Sequence, residues 1–468
     1  MKIVGAKVNL EIKFIIVMLL TAVIIFYFSL SAHSCTIAVV SSQASLEGRP
    51  VLWKNYDMSQ YWHQQVKYFQ GENDLIGNYY LLHHDNNSLW AYKSAIIPQA
   101  GINEAGFSIV VAAVSDINIL NASTNANTRL LMDATANCAS IPDFDNYLQK
   151  WRKANLNSSI SANYAVIDAR GGAAIYEVHM ANQWIPLDNF KFRKYDANTG
   201  QVSDHAGKII EPAQESFAGY YVSSNLNSFF PNNTGSERAI RAEYLFKQLK
   251  ESKSDEEGLT PANIMRVLSK DVKGIQPKSG TDLQYSTTYC ISRSQTRSGL
   301  VVEGAAAGED PALTTFWCAL GEPSLSVYVP TFVGAGNVSP YLYEDTPGSG
   351  IDKSDVCALN LLADQRETYK KMIYSSNRGN AITGPFDTTI NKIELAKVQD
   401  WTLEIEKVVL DHTREFIARI RNNNGTLDSE ELQSFQNYCA QYVYENYAAG
   451  SADAVLWEYH AANAPGQK

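Results

Sequence analysis

From Cys35 to about Pro330, apolar and polar positions alternate in short runs punctuated by turn residues. Thr36–Val40 and Val51–Tyr56 read as strands flanking a polar stretch that carries Glu47-Gly48-Arg49-Pro50. Phe107–Val114 is the continuous apolar run of a buried strand. Tyr164–Asp168 and Ala173–Val178 predict a hairpin about Arg170-Gly171-Gly172. Ser236–Lys250 predicts a helix with Ile240, Tyr244, Leu245 and Leu249 on one face, and Pro261–Ser269 a second helix capped by Thr260. Thr315–Leu320 and Leu325–Val329 return to strand. Beyond about Asn337 the pattern turns helical, with long amphipathic stretches at Ala358–Ser375, Ala396–Arg421 and Ser429–Ala449. The expectation is an α+β core followed by a mainly helical C-terminal extension, dividing at about residue 336.

The first segment bears on the compartment. Lys2, Lys7 and Lys13 precede an apolar run from Phe14 to Leu30, and Ser31-Ala32-His33-Ser34-Cys35 follows. A positive start, an apolar stretch and small residues at Ala32 and Ser34 predict a secretory signal spanning residues 1–34, cleaved after Ser34. The mature chain is then expected to be secreted, periplasmic or otherwise outside the cytoplasm. The alternative is a signal anchor, since 17–20 apolar residues just reach across a bilayer. Contact with a membrane is expected only through such an uncleaved segment.

Charge narrows the function classes. The 468 residues hold 39 Lys and Arg against 49 Asp and Glu, a net charge of −10. Residues 1–34 carry a net charge of +2, so their removal leaves −12. A chain with no basic surplus is a poor nucleic-acid binder, because phosphate neutralisation needs clustered cations. With 45% apolar residues the chain has the material for a large core. Sequons stand at Asn86, Asn121, Asn157, Asn232, Asn337 and Asn424. Outside the cytoplasm, Cys138, Cys290, Cys318, Cys357 and Cys439 could form disulfides, with at least one left free. No CxxC spacing or Cys/His cluster appears, and His83-His84 forms no i,i+4 pair with a carboxylate, so neither a metal nor a cofactor is expected.

Cleavage before Cys35 would set a thiol beside a free α-amine. The reference pKa values, about 7.7–8 for the amine and about 8.5 for the thiol, lie close enough for the amine to take the thiol proton. If the first two strands pair about a turn at residues 46–47, positions summing to about 92 face each other, which sets Asp57 opposite Cys35. A carboxylate there would orient the ammonium and tune its pKa.

Cys35-Thr36, Gly48-Arg49-Pro50 and Lys54-Asn55-Tyr56-Asp57 together resemble the opening hairpin of N-terminal-nucleophile hydrolases. The nearest groups are the choloylglycine hydrolase and penicillin acylase family of linear amide hydrolases, with their acyltransferase and dipeptidase relatives. In order along the chain, Gly101-Ile102-Asn103-Glu104-Ala105-Gly106 is similar to the family's G-x-N-E-x-G turn. Asn163–Asp168 running to Glu177 resembles its inner hairpin, and Ser236-Glu237-Arg238 its S-x-R helix start. Asn225, in Tyr221-Val222-Ser223-Ser224-Asn225, stands where the family carries a catalytic asparagine. Phe316–Pro323 and Tyr328-Val329-Pro330 are similar to the secreted dipeptidase branch. The resemblance covers roughly residues 35–330.

What the resemblance implies is a four-layer αββα sandwich that cleaves a linear carbon–nitrogen amide bond of a small molecule through a thioester. Cys35 would be the nucleophile and its own amine the base, with Asp57 holding the amine. Asn225 would donate to the oxyanion, and Arg238 would keep the site positive. Lys54 replaces the family's arginine, a point charge in place of a fork. The position of a second polar asparagine in bile-salt hydrolases falls near Ala113, which disfavours that subgroup. Asn103, Glu104, Asn163 and Glu177 read as structural. An N-acyltransferase or a dipeptidase would share the nucleophile. From another class, an exported, lipid-anchored binding protein without catalysis is the alternative. A homo-oligomer stays open.

Overall fold

The computed structural model describes residues 34–459 apart from 58–63, 72–78, 86–95, 115–123, 156–158, 181–190, 214–216, 226–235, 253–257, 274–283, 287–289, 344–368, 377–387 and 423–427. The signal-like segment before Ser34, Cys357, and the sequons at Asn86, Asn121, Asn157, Asn232 and Asn424 lie outside these residues; Asn337 lies within them and is exposed.

The architecture is mixed α+β, with two large antiparallel sheets and C-terminal helices. The smaller of the two joins β1 (Ser34–Val40), β2 (Val51–Asp57), β12 (Tyr220–Ser223), β14 (Thr296–Glu303), β15 (Thr315–Leu320) and β16 (Val329–Phe332), in the order β12-β1-β2-β14-β15-β16. The nine-stranded sheet is a meander in which every strand pairs with its sequence neighbour. It runs from β3 (Gln64–Phe69) and β4 (Tyr79–Asp85) through β5 (Ile96–Asn103), β6 (Ser108–Ala113), β7 (Ile160–Ile167) and β8 (Ala173–Met180). It ends in β9 (Lys191–Asp196), β10 (Val202–Asp204) and β11 (Ile209–Glu211). The two sheets pack face to face, with β1 and β2 against β6 and β7. All seven residues of β2 are buried, including the polar Lys54, Asn55 and Asp57, so the strand carries charged groups into the interior.

Helices α1 (Thr124–Asn137) and α2 (Ile141–Ala154) cover the outer face of the large sheet through Leu130, Leu131, Phe144 and Leu148. The small sheet is covered by α3 (Ser236–Glu251), by an α-turn at Pro261–Asn263 that continues as a π-helix over Ile264–Ser269, and by the C-terminal helices. As expected, Thr260 caps that turn, its hydroxyl accepting from Asn263 N at 3.2 Å. In α3 the inward face is Ala242, Leu245, Phe246 and Leu249, whereas Ile240 and Tyr244 are 58% and 51% exposed. This corrects the expected face. The i, i+3, i+4, i+7 stripe is anchored on a small alanine that apolarity alone does not single out. Phe246 stacks on Tyr220 at 5.0 Å and meets Trp53 of β2 at 6.1 Å, which fixes the helix that carries Arg238.

The C-terminal helices α4 (Lys392–Asn422) and α5 (Ser429–Ala449) lie close to their expected spans and share the core of the small sheet through Ile405, Val409, Phe416, Leu432 and Phe435. Glu406 of α4 accepts from Lys270 at 2.9 Å and from Tyr328 N at 3.1 Å, and Gln436 of α5 accepts from Phe332 N at 3.1 Å. Two expectations need correction. Leu325–Val329 is not a strand, because a 3₁₀ turn at Pro323–Leu325 delays β16 to Val329. The helix expected to reach Ser375 ends before Tyr374, where β17 (Tyr374–Ser376) pairs with β18 (Thr388–Asn391) in a small third sheet completed by β13 (Gln284–Ser286). Among the described residues Cys35, Cys138, Cys290, Cys318 and Cys439 are all buried free thiols, and no helix is long and apolar enough to cross a membrane.

Candidate active site

Strand register decides what Cys35 faces. β1 and β2 pair with Cys35 opposite Tyr56 and Ser34 opposite Asp57, so facing positions sum to 91. The expected pairing of Cys35 with Asp57 is off by one residue, and side chains alternate between faces, so one step reverses the side of the sheet. The slip has a local cause. Ala44 N and Ser45 N both bond back to Ser41 O, which winds the connection into a helical turn instead of a regular hairpin.

Asp57 is held at the far side of its strand by residues the sequence did not mark. Arg293 donates to Oδ2 through Nε at 2.9 Å and Nη2 at 2.8 Å, and Thr296 Oγ1 donates to Oδ1 at 2.7 Å. Thr296 stands opposite Asp57 in the β14–β2 register. Asp57 reaches Cys35 through its backbone, whose N–H donates toward the sulfur, and through its charge.

On its other side β1 pairs with β12, where Ile37 faces Ser223. Continuing that register by two residues brings Asn225 opposite Cys35. The Cys35 backbone nitrogen donates to Asn225 Oδ1 at 2.6 Å. Arg238 Nη2 donates to the same oxygen at 3.0 Å, and Asn225 Nδ2 donates to the Ala113 carbonyl. Asn163 of β7 fixes the approach to this segment, its Nδ2 donating at 2.9 Å to both Ser223 Oγ and the Ser224 carbonyl. Asn225 is therefore clamped from both sheets and from α3, all within the buried interior.

Lys54 points into the layer between the sheets. Its ammonium donates to the Gln99 carbonyl at 3.1 Å, to Gln99 Oε1 at 3.0 Å and to the Val111 carbonyl at 2.6 Å. Three neutral acceptors satisfy the three hydrogens without cancelling the charge, and burial pulls the lysine pKa down to about 8. Burial likewise pushes the Cys35 thiol up, against the opposing pull of Lys54 and, more weakly, of Arg238. Burial and the repulsion of Arg293 lower Arg238 to about 10. The Nε of Arg238 is buried with no hydrogen-bond partner among the described residues.

Cys35, Lys54, Asn225 and Arg238 thus converge, while the Asp57 side chain is turned to Arg293 and Thr296 and acts on Cys35 through its backbone N–H and its charge. Arg293, Thr296, Gln99 and Asn163 complete the cluster. Asn103 is structural: its Oδ1 accepts from Ala105 N and Phe107 N, its Nδ2 donates to the Thr135 and Cys138 carbonyls, and Gly106 takes a φ of +76°. What the cluster can do chemically is bounded by the thiol. With burial dominant Cys35 rests as a neutral thiol, so it becomes a nucleophile only if a neighbouring base takes its proton.

No protein-family model and no curated protein matches the chain. Among solved structures it is similar to two crystal structures of conjugated bile acid hydrolase variants from Clostridium perfringens. In each case the TM-score is 0.32 and the identity 11%, and the match covers 61% of this chain and 89% of the other.

Proposed function

We propose that the chain is an N-terminal-nucleophile hydrolase with a four-layer αββα core, which cleaves a linear carbon–nitrogen amide of a small molecule through a thioester on Cys35. The observation that carries this reading is the 2.6 Å hydrogen bond from the Cys35 backbone nitrogen to Asn225 Oδ1. In the intact chain that nitrogen is the Ser34–Cys35 amide, whose lone pair is delocalised and cannot act as a base. Hydrolysis of the Ser34–Cys35 bond would turn it, in place, into an amine already aligned by Asn225.

In this reading Asn225 orients the amine by accepting from it, and the nearby Arg238 cation favours the neutral, basic amine. The amine takes the thiol proton as sulfur attacks the substrate carbonyl. It then returns that proton to the departing nitrogen and activates water for thioester hydrolysis. Arg238 Nε, which has no partner among the described residues, would donate to the oxyanion. Lys54 favours the developing thiolate by charge alone, and Asp57, locked by Arg293 and Thr296, acts as a fixed anion beside the site. The extracytoplasmic location belongs to the same proposal, since removal of residues 1–34 is what would free the amine.

The test is a Cys35→Ala substitution in a chain produced without residues 1–34, assayed for release of amine from a panel of N-acyl amides. Loss of all turnover is expected, and retained turnover would refute the assignment.

A further inference from the structure

A cavity of about 290 Å³ lies between the small sheet and α4, at the opposite end of β2 from Asp57. Glu303, on its wall, pairs with Val51, whereas Cys35 pairs with Tyr56, so roughly 17 Å of strand separates the cavity from the thiol. Its volume is near the lower end for small-molecule sites. Leu410, Arg414, Ile417 and Arg421 line it from one face of α4, and Trp317 lines it from β15.

Most of the charged wall is already partnered. Glu309, just behind it, binds Arg49 at 2.8 Å and Arg421 at 2.7 Å, and Glu303 lies 3.7 and 3.6 Å from the same two guanidinium groups. Two donors have no such partner. The Trp317 indole N–H is buried without a hydrogen-bond partner among the described residues, on a side chain only 3% exposed. Arg414 is exposed on the cavity wall and makes no ion pair among the described residues.

A buried N–H without an acceptor is costly, so an occupant that brings an oxygen is favoured. The wall carries Arg49, Arg414 and Arg421 against Glu47 and Glu303, and Glu309 pairs with Arg49 and Arg421, which leaves Arg414 as the wall cation without an ion pair among the described residues. Burial and the adjacent Glu47 carboxylate push the Glu303 carboxyl up to about 7, which tilts the balance toward an anion. Leu410, Ile417 and the Trp317 ring offer apolar surface to a hydrocarbon body.

We propose that this cavity is a second binding site, for a small monocarboxylate with an apolar body. Its body lies against Leu410 and Ile417, and its carboxylate accepts the Trp317 N–H and is neutralised by Arg414.

The test is calorimetric titration of the full chain with sodium hexanoate, with hexylamine hydrochloride as the charge-reversed control. Hexanoate should bind saturably and hexylamine should not. Trp317→Phe and Arg414→Gln should each weaken hexanoate about tenfold. Absence of saturable hexanoate binding, equal binding of hexylamine, or undiminished binding by Arg414→Gln would overturn the proposal. Arg414 is exposed, so its substitution leaves the core intact even if Trp317→Phe perturbs it. The titration reads binding and not turnover, so its failure is separate from any failure of the Cys35 reading.

Discussion

Asn225 faces Cys35 across the β1–β12 register and accepts its backbone nitrogen at 2.6 Å, while Arg238 donates to the same carbonyl oxygen at 3.0 Å. One side-chain amide thus fixes the direction of the nitrogen on which the proposed chemistry depends. Asn225→Ala should lower amide turnover of the processed chain by about 10²-fold, the usual effect of a small misplacement at a reacting centre. Asn225→Asp keeps the oxygen but adds a negative charge, which raises the pKa of the amine. Its pH–rate profile should therefore keep its shape while the acid limb moves to higher pH; an unmoved limb would rule out an orienting role.

Lys54 gives a pH dependence of stability with a definite sign. Its pKa is about 8 in the folded chain against an ordinary 10.5. Between these values the unfolded chain binds more protons, so the lysine's contribution to stability rises with pH across that window. Below about pH 8 its burial cost is fully expressed, on the order of 3 kcal/mol. Lys54→Met removes the titration. The urea midpoint of the native sequence, measured relative to Lys54→Met, should climb from pH 8 to pH 10.5, and a flat difference would contradict this. The same substitution should shift alkylation of Cys35 by iodoacetamide to higher pH, because Lys54 is the strongest influence holding the thiol pKa down.

Asp57 is 1% exposed and depends on Arg293 and Thr296. Arg293→Leu should destabilise the fold by about 3–5 kcal/mol, since it strands a buried carboxylate. Adding Asp57→Asn should restore part of that loss, read as a non-additive double-mutant cycle in chemical denaturation. Additive losses would mean that the pair is not coupled.

The ion pair of Lys270 with Glu406 ties α4 to the core at 2.9 Å, with both side chains 3% exposed. Glu406→Ala should cost about 3–5 kcal/mol, because it leaves a buried ammonium without its counter-charge, held only by the Ser326 carbonyl, and the Tyr328 N–H without its acceptor. A Lys270→Met/Glu406→Leu double substitution should lie much nearer the native stability, as thermal unfolding would show.

Much of this fold could be read from local pattern. The strands around Cys35, Phe107 and Tyr164, the Thr260 cap and both long C-terminal helices follow from period and punctuation, which act over a few residues. Motif order marks Asn225, Arg238 and Lys54. What escaped was set at long range. Arg293 meets Asp57 across 236 residues of sequence, and Gln99 meets Lys54 only because two sheets stack. The phase of the first hairpin escaped as well, because a helical turn at Ser41–Ser45 shifts the pairing by one residue and the strand pattern carries no record of that turn's shape.

The most direct measurement is N-terminal sequencing, together with intact mass, of the protein recovered from its producing cell. The expected result is a chain that begins at Cys35 with an unblocked amine and an unmodified thiol. A chain that starts at any other residue, or a Cys35 carrying an acyl or diacylglyceryl group, would leave the sulfur without its base and contradict the account.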